Sequence, residues 1–438
     1  MRLDSALSTV ADFLPDRFET LKEHLKPEWI VDALMWTGTT SVRRRRLPAE
    51  QVVWLVIGMG LFRSEPIERI VDMLDLAEPD GKNTLVAKSA ITQARQRLRP
   101  EAVRFLFEVT ASEWAVRSAN AHQWRGLTLF GLDGTTMRVP DSEENRAAFG
   151  GQSGRSGASG YPQVRAVALM ALRSHVLSAF RFADYHTGEV TLARQVWNEL
   201  PEDSLVIVDR NFLVKSDLYA LECSGGRHWL TRAKSNTRWT VIQRLGKNDE
   251  LVELELKGTG FPSAYLVRAI QYQRKGYPRS TLLTSLTDSE RFPAKELVEL
   301  YHERWELEIA YDEVKTHLLD RQESIRSRTP QGVEQELWGI ALAYNLVRVE
   351  MERIAVQAKV LPTRISFTAA LALIRDELGR MGGPRFSPGT IPKRLEHMRR
   401  HLKRLVLPPR RSQRIFPRAV KIKMSNYPRK RPSAQRAI

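Results

Sequence analysis

The sequence predicts a mixed α/β protein in which a helical N-terminal domain precedes a sheet-based core interrupted by a β insertion. Three observations carry that expectation. Up to about residue 125 apolar side chains recur at helical spacing; from Gly126 short apolar runs end in acidic or turn-forming residues; and residues 233–290 alternate apolar and polar side chains in successive runs. At 438 residues the chain can bury a large core, and its 42% hydrophobic content is that of a globular protein.

In the first domain, residues 1–125, Ala49–Phe62, Ile67–Leu76 and Pro100–Ser118 read as helices, with turns at Ser64–Pro66 and Pro79–Asn83. Lys88–Arg99 (KSAITQARQRLR) fits a short basic recognition helix entered through Ser89, or an ordinary surface helix. The run Arg43–Arg46 suits phosphate contact or simple solvation. Leu127–Asp133 (LTLFGLD) is a first strand ending on an acid. After the Gly-rich stretch Gly150–Gly160 come the strands Val164–Leu172 and Val176–Asp184, joined by the turn Arg173–His175. Thr191–Leu200 reads as a helix. Leu205–Asp209 (LVIVD) is a strand that again ends on an acid, followed by a helix over Arg210–Leu221 and a strand over His228–Arg232. Three antiparallel strands, a helix, a parallel-type strand and further helices make the ribonuclease H-like order, assigned to residues 126–390. Residues 233–290 are its inserted β subdomain. Helices occupy residues 294–380, and Gln335–Val360 is apolar enough to be explained by packing alone.

Composition narrows the function classes. The most apolar run, Val52–Phe62, spans 11 residues, too few to cross a bilayer, and the N-terminus lacks the basic start and apolar run of a signal peptide. The single cysteine, Cys223, excludes an internal disulfide framework and a cysteine-ligated zinc cluster, and reads as a small buried side chain. These features indicate a cytoplasmic protein. Net charge is +17, of which +15 falls within residues 391–438, where 16 Lys and Arg face one acid, Glu396. A nearly neutral body with a partly ordered basic tail points to a polyanion bound through counterion release, nucleic acid before membrane.

The stretch Tyr301–Lys315 (YHERWELEIAYDEVK) carries most of the chemical information. Read as one helix, Tyr301, Arg304, Glu308 and Lys315 fall within an arc of about 60°, beside a core stripe of Leu300, Leu307, Tyr311, Val314 and Leu318. Glu303, Glu306 and Glu313 fall on another side and read as a solvated flank. One carboxylate among cations and a phenol suits a metal ligand flanked by phosphate-holding groups. Asp133 and Asp209, each closing an apolar strand, are placed at a sheet edge where two neighbouring strands converge their acids. Three hard oxygen ligands from Asp133, Asp209 and Glu308 suit Mg²⁺, with Mn²⁺ as substitute, rather than zinc. Two such ions roughly 3.5–4 Å apart can activate a water or a 3′-hydroxyl for in-line displacement at phosphorus. Asp141, Asp184 and Asp312 are the competing acids, Asp312 the strongest of them.

The spacing Tyr-x2-Arg-x3-Glu-x6-Lys at Tyr301, Arg304, Glu308 and Lys315 resembles the YREK motif of DDE transposases of the insertion-sequence-four family. The segments LDGTTMRVPDSEENRAAFG around Asp133, VIVDRNF around Asp209 and RSRTPQGVEQELWGIALAYNLVR over residues 326–348 resemble the same family, as does RRRRLPAEQVVWLVIGMGLFR in the N-terminal segment. The resemblance runs from about residue 20 to the basic tail. It implies that Asp133, Asp209 and Glu308 bind the catalytic metal, and that Tyr301, Arg304 and Lys315 hold DNA phosphates near a cleaved transposon end. Arg210, beside the second acid, is a further DNA-binding candidate. Trp305 suits stacking on a distorted base or core packing. Some relatives cut through a DNA hairpin with an insertion aromatic stacked on a flipped base; Trp239, Tyr272 and Tyr277 are candidates among which no motif chooses. The expectation is a transposase that acts as a homodimer on double-stranded DNA, associated with the nucleoid. It is weighed against a repurposed, catalytically silent DNA-binding protein and a nuclease without strand transfer.

Overall fold

The computed structural model describes residues 24–41, 46–77, 86–154, 157–158, 160–274, 277–320, 325–380 and 405–408. The turn expected at Pro79–Asn83 and nearly all of the arginine run and the basic tail lie outside them. Four helices come first: α1 (Pro27–Trp36), α2 (Ala49–Leu61), α3 (Ile67–Met73) and α4 (Lys88–Ala121). The core then runs β1 (Thr128–Arg138), α5 (Glu143–Phe149), β2 (Gln163–Ala171), β3 (Leu177–Asp184), α6 (Glu189–Arg194), β4 (Ser204–Val208), α7 (Lys215–Cys223) and β5 (Arg227–Arg232). The insertion contributes β6 (Thr240–Gly246), β7 (Asp249–Glu255), β8 (Ala264–Tyr272) and β9 (Ser280–Thr284). Helices α8 (Ala294–Glu303), α9 (Trp305–Asp312), α10 (Pro330–Ala358) and α11 (Phe367–Arg380) follow.

The strands form one nine-stranded sheet in the order β3-β2-β1-β4-β5-β9-β8-β7-β6. Its first five strands have the ribonuclease H-like arrangement: β1 pairs antiparallel with β2 and parallel with β4, and β4 pairs parallel with β5. The insertion extends this same sheet, because β9 pairs antiparallel with β5 through Thr284–Leu230, Leu283–Thr231 and Leu282–Arg232.

The N-terminal helices share their core with the C-terminal ones. Helix α2 is apolar on every side and buried along its length, so it needs cover all around. Helix α10 supplies one side, crossing where two glycines remove the side chains between the backbones. A Cβ on Gly60 would stand 2.9 Å from Ala343 Cβ, and one on Gly339 would stand 2.9 Å from the Val56 carbonyl oxygen. Because backbone cannot step aside, Gly339→Ala should cost about 1–3 kcal/mol of stability; a thermal melt unchanged from the parent would show that the crossing has slack. Buried polar pairs fix the same interface: Arg63 Nη1 donates to Glu336 at 2.5 Å and His24 Nε2 meets Glu350 at 2.9 Å.

Helix α4 kinks at Arg99 (φ 58°), the residue before Pro100, where proline disfavours helical backbone. The basic segment before the kink begins at Lys88 without a side-chain cap. Much of its charge is engaged by protein: Arg95 donates to Gln335 and Ser327, Arg99 to the Thr37 carbonyl, and Lys88 pairs with Glu68 at 3.0 Å. Cys223 is exposed at the end of α7, contrary to the buried position expected of it. Among the described residues no helix is long and apolar enough to cross a membrane.

Candidate active site

Asp133 and Asp209 come together because their strands are neighbours. The parallel register pairs Leu132 with Val208. Asp133 and Asp209 follow that pair and stand one strand spacing apart, about 4.8 Å. Asp209 lies just past the end of β4, but β1 does not end at Asp133 as expected, because its pairing with β2 carries it on to Arg138. Each carboxylate accepts the amide that follows it, from Gly134 at 2.8 Å and from Arg210 at 2.6 Å, which orients one oxygen and leaves the other available. Burial pushes the Asp133 carboxyl up to about 6, against the Gly134 amide and Arg304 and with help from the like charges of Asp209 and Glu189.

The segment bearing Glu308 is not the single helix its spacing predicts. At Arg304 the backbone tightens into three-residue bonds, Arg304 N to the Tyr301 carbonyl at 3.2 Å and Leu307 N to the Arg304 carbonyl at 3.0 Å. From Glu313 to Leu318 it widens into a π turn. Tight turns advance the side-chain direction and wide ones retard it, so positions drift from an ideal wheel. The expected solvated flank is accordingly wrong. Glu306 and Glu313 are buried on either side of His175, with His175 Nε2 3.0 Å from Glu306 and Nδ1 3.3 Å from Glu313. Glu313 also accepts from Tyr344 Oη at 2.7 Å and Arg348 Nη1 at 3.1 Å. Burial opposes its charge, but Arg348, His175 and Tyr344 outweigh that and bring the carboxyl down to about 2. Glu303 pairs with Arg173 at 2.9 Å.

Glu308 faces the sheet edge. Arg304 Nη2 donates to Glu308 Oε1 at 3.0 Å while Arg304 Nη1 lies 3.8 Å from Asp133 Oδ2, so one guanidinium spans the helix acid and the strand acid. Tyr311 ties α9 to the same strand by donating its hydroxyl to the Asp133 carbonyl at 2.5 Å. Beside these acids opens a cleft of about 490 Å³ lined by Asp209, Arg232, Tyr272, Arg274, Tyr301, Arg304 and their neighbours, including Tyr277, His302 and Trp305. Tyr301 is buried against the core with its ring lining the cleft, whereas Trp305 is 52% exposed at its rim. Lys315 is half-buried on the π turn, and burial lowers its pKa. The Arg210 side chain is exposed. Trp239 is partly buried against the core and does not line the cleft. The rival acids are engaged elsewhere: Asp141 with Arg146, Asp184 with the turn at His186–Thr187, and Asp312 with Thr316 at 2.6 Å.

Comparison with known families places this geometry. Residues 15–108 match the family described as insertion element 4 transposase N-terminal, and residues 124–346 match the transposase DDE domain. The chain belongs to the insertion-element-4 family of DDE transposases. It is a DNA transposase. Over 438 residues, 98% of both chains, it is 38% identical to the transposase InsG for insertion sequence element IS4 of Escherichia coli (strain K12). It is also 36% identical over 232 residues to the putative transposase InsZ of the same organism, covering 52% of this chain and 76% of that one. A cryo-EM structure of a piggyBac transposase synaptic complex with hairpin DNA is similar at a TM-score of 0.44 and 11% identity, over 91% of this chain and 87% of that one.

A DDE transposase uses a divalent metal. A buried carboxyl raised to about 6 beside two further acids is a place where added positive charge is favoured. As the side chains stand, no three His, Cys, Asp or Glu among the described residues gather closely enough to hold an ion. The Arg304 guanidinium lies between Glu308 and Asp133, 3.0 Å from the one and 3.8 Å from the other. Sequence reasoning missed Arg232, Arg274 and His302 as cleft residues of the transposase. Arg232 ends β5, Arg274 lies in the connection from β8 to β9, and His302 is in α8; the pairing of β9 with β5 brings the insertion residues to the side of Asp209. Alternation within the insertion was the one signal that could have pointed to the strands, and it does not say which face meets the acids.

Proposed function

We propose that the transposase cleaves the ends of its own element by metal-dependent phosphodiester hydrolysis and joins the freed 3′-hydroxyls to target DNA, with Asp133, Asp209 and Glu308 as the metal-binding triad. The observation that supports this reading most is the pair of aspartates side by side where the parallel pairing of β1 and β4 stops, with Glu308 beside them across Arg304. The ions, two Mg²⁺ with Mn²⁺ as substitute, supply charge neutralisation at the phosphate and acidify the attacking hydroxyl when bound.

The chain's own residues then hold the DNA. Arg304 can donate in a fork to a non-bridging oxygen. Lys315 and Arg210 offer two further cations, and Tyr301 a hydroxyl donor, none of which competes as a ligand for a hard metal. Trp305 at the cleft rim and Tyr272 and Tyr277 on its wall present aromatic faces on which an unstacked base can lie. Two ends must be processed together, so the active form is a homodimer on double-stranded DNA. The basic charge of residues 391–438 adds sequence-independent attraction, in keeping with a nucleoid-associated, cytoplasmic enzyme.

The test uses duplexes carrying the DNA that flanks the gene, a supercoiled target plasmid and Mg²⁺. Cut ends covalently joined to the plasmid by their 3′ strands are the expected product. Cutting without preference for the flanking sequence and without joined product would leave a plain nuclease.

A further inference from the structure

We infer that His175, in the turn between β2 and β3, is a positioning residue for Glu308: the turn clamps the segment that carries this acid and sets where it stands against Asp133. The role presupposes the reading of Glu308 as a catalytic acid. Three other acids, Glu303, Glu306 and Glu313, flank Glu308 along the segment, and the turn Arg173–His175 holds all of them. Arg173 donates through Nε and Nη2 to the two oxygens of Glu303, each at 2.9 Å. His175 places Nε2 3.0 Å from Glu306 and Nδ1 3.3 Å from Glu313. Arg348 of α10 joins the two sides, donating through Nε to the Ser174 carbonyl at 2.7 Å and through Nη1 to Glu313 at 3.1 Å.

Two features separate this arrangement from ordinary core filling. His175 sits at φ 63°, in the left-handed region that favours glycine or asparagine, and its side chain is fully buried. A residue kept in such backbone is held there by what its ring touches. The second feature is that the segment does not fix Glu308 by itself. It tightens at Arg304 and widens from Glu313 to Leu318, so the direction of the intervening side chains is not that of one continuous helix. Anchors before Glu308, at Glu303 and Glu306, and after it, at Glu313, set that direction from outside. The turn continues straight from β2, which pairs with β1 through Ala168 and Asp133. The clamp thereby refers Glu308 to the sheet that carries Asp133. Both ring nitrogens face carboxylate oxygens, which accept, so the ring serves as a donor on two sides.

The experiment uses the full-length protein as His175→Gly, a residue suited to φ 63° that leaves a space of imidazole size between the two carboxylates. Single-turnover end cleavage, gel-shift affinity for the element's end and melting temperature are measured with and without added imidazole. Cleavage is expected to fall on the order of 10-fold or more while end affinity stays parental. Imidazole should raise the melting temperature and restore cleavage, whereas N-methylimidazole, with one nitrogen blocked, should restore little. Parental cleavage in His175→Gly, an equal loss of end affinity, or a loss of cleavage that imidazole does not reverse would each overturn the positioning role; a melting temperature that imidazole restores without cleavage reduces His175 to a packing residue. Should His175→Gly not fold, Arg173→Ala takes its place: lower cleavage with parental end affinity supports the clamp, and parental cleavage overturns it. Glu308→Ala is assayed beside them. Parental cleavage there removes Glu308 from the reaction and this role with it, whereas loss there with parental cleavage in His175→Gly overturns the clamp alone.

Discussion

Asp133→Ala, Asp209→Ala and Glu308→Ala are each expected to lower the rate of end cleavage by on the order of a thousandfold or more, while binding of the element's end persists. The two outcomes separate because the acids and the phosphate-holding groups are different side chains on one surface. On the proposed assignment, removing a carboxylate takes away a ligand and leaves Arg304, Lys315 and Arg210 in place. Gel-shift affinity measured beside single-turnover cleavage tests this, and parental cleavage by any of the three variants would remove that residue from the triad. Arg304→Ala should behave differently. It frees Glu308 and relieves Asp133 of its nearest cation, so both DNA affinity and cleavage should fall.

The largest effect on stability is expected at Arg348, in α10. Its side chain is fully buried and donates to Glu313 at 3.1 Å and to the Ser174 carbonyl at 2.7 Å. Arg348→Ala leaves the Glu313 charge buried with only His175 and Tyr344 beside it. Removing one partner of such a pair costs about 3–5 kcal/mol, more than the pair itself contributes. The Glu313 carboxyl lies at about 2 in the folded protein against an ordinary value of 4.5. A lowered carboxyl stabilises the fold above its ordinary range and loses that contribution as pH falls toward the folded value. Denaturant unfolding should therefore show the Arg348→Ala deficit in full near neutral pH and a smaller one below pH 4.5. A deficit independent of pH would assign the loss to packing.

The catalytic strands were legible because their signal is local. An apolar run closed by an acid, as in LTLFGLD and LVIVD, states the strand; for LVIVD it also marks the end, whereas β1 runs past Asp133 through GTTMR because β2 pairs with those polar residues too. The order of the core elements followed from the same runs. What the sequence left hidden depends on partners far along the chain. Glu306 and Glu313 look like any exposed helix acids, and only the buried His175, Tyr344 and Arg348, from a turn and from α10, make them structural. The break at Arg304 carries no proline or glycine to announce it. The joining of β9 to β5 is a pairing of strands about fifty residues apart, for which alternation gives no address.

The glycine crossing of α2 and α10 bears on when this protein becomes a protein. Helix α2 ends at Leu61 and its cover, α10, runs from Pro330 to Ala358, so the first domain has no complete interior until most of the chain has left the ribosome. Contacts that span so much sequence close late and keep apolar surface open in the meantime. Translation that stops before α10 leaves the N-terminal helices with one side of α2 bare. The interior of the N-terminal helices is thus completed by residues made late in synthesis, after the sheet that lies between them in sequence.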